Sequence, residues 1–144
     1  MLRTVLAVAV VALGATALVA QTDPIKARKD LMKANGAEAR IGNEMVQAKR
    51  PFNLDDAKKV FASFEEAGEK APASFPDSSK EGDTAALPAV WENKTDFNAR
   101  LAKLATDSKA AIAATKDLDT FKAQFTEVTK NCGGCHQTYR KKQT

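Results

Sequence analysis

The 144-residue chain is short of the residues that build most catalytic centres: it has one His and two Cys. A single imidazole excludes any site that needs two, a His-x-His zinc centre among them. Two thiols are too few for a disulfide scaffold. Neither sign of charge prevails. The 22 Lys+Arg against 18 Asp+Glu leave +4, too weak and too mixed for a nucleic-acid binder. Runs of Val, Ile, Thr and Tyr are missing beyond residue 20, and strand alternation is missing with them. There is no nucleophile–base pair, carboxylate dyad or phosphate loop, so hydrolysis and group transfer are not expected and the chain reads as a non-enzyme. What is present is ordinary for one soluble globular domain: 44% hydrophobic and 28% charged residues. That composition excludes disorder, collagen and a polytopic membrane protein.

The N-terminus has its own character. Arg3 supplies a positive start, Val5 to Ala20 is apolar and uncharged, and Gln21-Thr22-Asp23 is polar. This pattern predicts a secretory signal peptide over 1–20, cleaved after Ala20 or, as the next choice, after Ala17. The competing reading is an uncleaved anchor, but the run is short for a full span, which takes about 20 apolar residues. Residues 21–144 would then be the exported domain.

That domain reads as helix almost throughout. Pro24 after a capping Asp23 opens a first helix that Pro51 stops, giving Pro24 to Lys49. Asn53 caps a second, Leu54 to Glu69, whose stripe is Leu54, Ala57, Val60, Phe61, Phe64 and Ala67. An irregular stretch from Lys70 to Pro88 contains Pro72, Pro76 and Gly82. It is long for a loop in a compact domain and is expected to cover something. A third helix spans Ala89 to Ala114, with Trp91, Phe97, Leu101, Leu104 and Ser108 inward. The fourth spans Asp119 to Lys142.

The fourth helix carries the chemistry. Leu118, Phe121, Phe125, Val128, Cys132, Cys135 and Tyr139 fall at alternating spacings of three and four, a continuous buried stripe. Both cysteines point the same way, and His136 stands one turn beyond Cys132. The segment Cys132-Gly133-Gly134-Cys135-His136 is therefore C-x-x-C-H, the signature of c-type haem attachment. Two thiols add to the two vinyl groups on one porphyrin edge, and the next residue brings an imidazole beneath the iron. The two glycines clear side chains from the flat ring, at roughly 1 kcal/mol each in helix propensity. Three rivals compete. A redox dithiol normally opens a helix after a strand. A disulfide within a continuous helix has poor torsion. Zinc would want four ligands and finds three.

No second histidine exists for the other face of the iron. The soft candidates are Met32 and Met45, since Met1 leaves with the leader. In an up-down-up-down bundle the first and last helices are antiparallel. Met32 then lies about 12 Å from one end of the first helix, and His136 about 9 Å from the matching end of the last, so they meet in depth. Met45 falls near the far end and is expected to fill the core. Arg28, Met32, Gly36 and Ala39 share one face. Gly36 leaves room for close approach, and Arg28 reads either as a partner for a haem propionate or as a solvated cation.

A C-terminal C-x-x-C-H followed by Tyr-Arg, CHQTYR at 135–140, resembles the class II cytochromes c, which include cytochrome c′ and the low-spin cytochrome c-556. The stretches RKDLMKANG at 28–36 and FPDSSKEGDTAALPAVW at 75–91 are similar to that family as well. The resemblance implies an all-α antiparallel four-helix bundle with one covalent haem c per chain, usually a homodimer, in a bacterial periplasm. It assigns Cys132 and Cys135 to the haem and His136 to the proximal side. Arg28 matches the propionate-facing arginine, and Arg140 the basic residue beside the proximal face. Phe75 and Trp91 match aromatics near the haem, and Met32 the distal position. Low-spin members have a ligating Met there. Five-coordinate members often have Leu, and some have an unbound Met. Two activities follow: one-electron transfer to transient redox partners, or binding of a diatomic gas such as NO or CO if Met32 leaves the iron open. A haem store or non-catalytic subunit is a third. The Arg140-Lys141-Lys142 tail reads as a docking patch or as cations at a helix C-terminus.

Overall fold

The computed structural model describes residues 23–142, so the expected leader over 1–20 lies outside the described residues. The architecture is all-α. Helix α1 spans Pro24–Val46, α2 Leu54–Lys70, α3 Ala89–Glu92, α4 Lys94–Ala114 and α5 Leu118–Tyr139. Short turns join α1 to α2 and α4 to α5, so each of those pairs runs antiparallel, while the 71–88 stretch connects α2 to α3. Each packs on its successor, with α3 and α4 serving as one helix in this sequence, and α5 returns against α1 to close the bundle.

The starts follow the sequence. Asp23 accepts a hydrogen bond from the Ile25 amide at 2.9 Å, with Pro24 in the first turn. Asn53 does the same for the Asp56 amide at 2.9 Å. Asp117 and Thr120 form a reciprocal capping box for α5.

The ends differ from expectation, each for a local reason. Helix α1 stops at Val46 rather than Lys49, because Ala48 turns left-handed with φ 55°. The Lys49 amide then closes back on the Glu44 carbonyl at 2.9 Å. The third helix breaks at Asn93, whose φ −119° and ψ 44° separate α3 from α4. Helix α5 ends at Tyr139 rather than Lys142. There Arg140 extends and pairs with Ala86 as an isolated bridge, and the Lys141 amide donates to the Ala85 carbonyl at 2.8 Å. The stretch 71–88 holds two 3-10 turns, Ala71–Ser74 and Asp77–Ser79.

Two apolar clusters fill the bundle. One holds Met45, Val60, Phe61, Phe64, Phe121, Phe125 and Val128, and Met45 is 1% exposed within it, as a core filler should be. The other, nearer the connecting stretch, holds Ala71, Val90, Phe97, Leu101 and Tyr139. Helices α2 and α4 approach almost backbone to backbone at Gly68. A Cβ there would stand 2.6 Å from the Leu101 carbonyl oxygen and 2.7 Å from the Ala105 nitrogen.

Because backbone atoms cannot step aside, Gly68→Ala should destabilise the protein by roughly 1–3 kcal/mol. Ala48→Gly should stabilise it by about 1 kcal/mol by relieving the left-handed turn. Urea midpoints of the purified proteins check both, and an unmoved midpoint for Gly68→Ala would contradict the close helix approach.

Candidate haem site

Helix α5 delivers the two thiols and the imidazole from one face because its apolar stripe continues through them. Phe121, Phe125, Val128 and Tyr139 of that stripe are buried, and Cys132, Cys135 and His136 are half-buried. Two cavities, of about 340 and 280 Å³, open beside this segment. Each is within the usual range for a bound organic ligand or near its lower edge. Met32, Leu101, His136 and Arg140 border both, so α1 and α5 do bring the expected distal and proximal residues to one level. The larger cavity runs toward Arg28, Phe75, Thr84, Val90 and Tyr139, and the smaller toward Gly36, Ala39, Cys132 and Cys135.

The residues suit a c-type haem. Both cysteines are free thiols beside the smaller cavity. A Cβ on Gly36 or on Gly133 would meet nothing within 4 Å, so neither glycine is explained by protein packing. Burial pushes both thiols above their ordinary range, with the Arg100 charge partly opposing it at Cys135. The shift runs opposite to the lowered pKa that activates a redox dithiol. Burial, and then the charge of Arg140, lower the His136 pKa, which holds its imidazole in the neutral form that binds metal. Among the described residues no three His, Cys, Asp or Glu side chains gather as a metal cluster.

Arg28 is neither exposed nor idle. Its side chain is buried and stacks over Phe75, with Cζ 4.7 Å from the ring centroid. Nη1 donates to the Ser74 carbonyl at 3.0 Å and to Ser79 Oγ at 2.9 Å. Nη2 donates to the Ser79 carbonyl at 3.0 Å and to Thr84 Oγ1 at 2.7 Å. All four acceptors are neutral. Burial lowers its pKa, with Asp23 only partly offsetting it. Among the described residues no carboxylate lies within ion-pair distance of it. The stretch 71–88 therefore forms a strap over the larger cavity, as its length suggested, with Arg28 as its clasp.

The remaining expected residues take distinct places. Phe75 borders the larger cavity and packs edge-on against Phe97 at 4.8 Å. Trp91 borders neither cavity. It backs Phe75 at 6.1 Å, and its indole N–H donates to the Phe75 and Pro76 carbonyls at 3.2 Å each. Arg140 is half-buried beside His136.

Sequence reading missed Arg100. It borders the smaller cavity with the two cysteines, and its Nη1 donates to the Gly134 carbonyl at 3.1 Å. The available signal was its place one residue before the inward Leu101 and one turn after Asp96.

The cytochrome c′ family model matches residues 23–140. Cytochrome c′ of Rhodopseudomonas palustris is 38% identical over 135 residues, covering 93% of this chain and 92% of that protein. Cytochrome c-556 of the same bacterium is 30% identical over 148 residues, covering 99% of each. The solved structure of cytochrome c′ from Rhodopseudomonas palustris superposes with a TM-score of 0.81 at 38% identity, covering 86% of this chain and all of that one.

Removing the clasp should free the strap. Arg28→Leu leaves two carbonyls and two hydroxyls without their donor and should cost roughly 2–3 kcal/mol. Hydrogen exchange at Ser79 and Thr84 should accelerate with it, and unchanged exchange there would show that the strap holds without Arg28.

Proposed function

The chain belongs to the cytochrome c′ family, whose members carry covalently bound haem c, and on that premise we propose that it is an exported one-electron carrier of the cytochrome c-556 type. In this reading His136 and Met32 would hold the iron. The observation that carries it is that Met32 and His136 border the same two cavities from opposite helices. When bound, the haem supplies a centre that takes up and releases single electrons.

The protein's residues hold and tune that centre. Cys132 and Cys135 anchor one ring edge, and their i,i+3 spacing on α5 brings both to one side. Arg28 would offer a propionate its buried positive charge, since both Nη groups already donate to the strap. Phe75, which borders the larger cavity, would pack against the ring, and Trp91 holds Phe75 and its strap in place. Arg140 adds a positive charge beside the proximal imidazole, which favours the neutral ligand. Ligation by His and Met together raises the reduction potential and leaves the iron no open position.

The leader-like residues 1–20 point to export, which suits a periplasmic carrier serving redox partner proteins through transient encounters. Among the described residues no helix is long and apolar enough to cross a membrane.

A second reading rests on the larger cavity. Its lining of Ala71, Val90, Phe97 and Leu101 is apolar and adjoins Met32. If Met32 packs there without binding, the iron keeps an open face for NO or CO.

The optical spectrum of the reduced protein under CO separates the two. Sharp low-spin bands indifferent to CO are expected, and Met32→Ala should convert them to a broad high-spin spectrum that shifts on adding CO. A wild-type spectrum that already shifts would replace the first reading with the second.

A further inference from the structure

The side of the site formed by α4 contains an arrangement that neither axial ligand nor strap accounts for. Asp96 Oδ2 accepts hydrogen bonds from Arg100 Nε at 2.7 Å and from the Tyr139 hydroxyl at 2.5 Å. Arg100 then uses Nη1 to reach the Gly134 carbonyl at 3.1 Å. Its Cζ lies 5.7 Å from the Tyr139 ring centroid. Gly134 sits between the two cysteines, and Tyr139 ends the same helix. The pair Asp96–Arg100 thus grips α5 at two points, one on each side of His136.

We propose that Arg100 is a positioning residue for the haem-attachment turn and that, opposed by Asp96, it sets the reduction potential of the haem from the α4 side. This rests on the haem reading above.

The physical argument has two parts. Position comes first: the Gly134 carbonyl already accepts from Thr138 Oγ1 at 3.3 Å within its own helix. The added charged donor from α4 fixes the turn laterally, where its two glycines leave the backbone weakly constrained. Charge comes second. Reducing the iron adds one negative charge to the site, so a nearby cation favours the reduced state and a nearby anion the oxidised one. Arg100 and Asp96 are half-exposed and bonded to each other, so their opposite contributions largely cancel in the intact protein. Removing one exposes the other.

The test uses the holoprotein with haem attached, confirmed by mass and colour, at low ionic strength to limit screening. Potentiometric titration should give a lower midpoint for Arg100→Leu and a higher one for Asp96→Asn. The double variant should return close to wild type. Arg100→Lys retains the charge without the two-point grip, so its midpoint should stay nearer to wild type than that of Arg100→Leu. It also provides a folded comparison should the leucine variant mature poorly. Opposite shifts in the single variants support the proposal. Unmoved midpoints, or both singles shifting the same way as general loosening would produce, overturn it. A colourless wild-type protein would instead sink the haem reading itself and this inference with it.

Discussion

The bundle is organised around a level at which its helices do not fill their own interior. A continuous heptad-like stripe on α5 would close against α1 if it carried large side chains to the end. Phe121, Phe125 and Val128 do so in the lower cluster. Above them the stripe turns small, to Cys132 and Cys135, and α1 answers with Gly36 and Ala39. Native interiors are close-packed, and an apolar void costs stability in proportion to its volume. A gap between two well-packed clusters, lined by two thiols and a lone imidazole, is therefore a place made for a ring. The haem c of the family is what makes such an interior complete.

The same level explains why the connecting stretch is ordered although it has no long helix. A segment of this length must satisfy its own backbone groups. Ser74, Ser79 and Thr84 all turn toward one guanidinium, and Leu87 and Lys141 exchange backbone bonds with residues across from them. Arg28 stabilises the strap through hydrogen bonds rather than through an ion pair, so its charge beside the larger cavity has no ion-pair partner among the described residues and only Asp23 partly offsets its burial. A buried cation in that condition is costly unless an anion arrives.

Much of this was legible in the residues. The helix starts at Asp23 and Asn53 followed from capping chemistry, and the α5 stripe followed from periodicity. The Cys132–His136 segment was legible because covalent attachment demands that spacing. Other features were hidden because they arise between segments far apart in the chain. The end of α5 at Tyr139 depends on Ala86 accepting a bridge, and no local signal at Arg140 announces it. Arg28 was weighed as a solvated cation because its burial is supplied by a strap about 50 residues away. Arg100 resembled a surface residue in an ordinary i,i+4 pair, and only the packing of α4 on α5 gives its second hydrogen bond a target.

The distal residue shows how far these features depend on one another. Met32 is an unbranched side chain on α1, and residue type alone does not bring its sulfur to a metal. What determines its reach is the depth and rotation of α1. Arg28 stands one helical turn before Met32 on the same face. A guanidinium held by four bonds to the strap fixes that turn in both respects, and Gly42, pressed under the Phe125 ring, fixes α1 at its other end. With α1 pinned at both ends, Met32 has one level at which to act, and it is the level of His136. The level at which Met32 borders the cavities is accordingly a property of the strap and the helix contact as much as of the methionine.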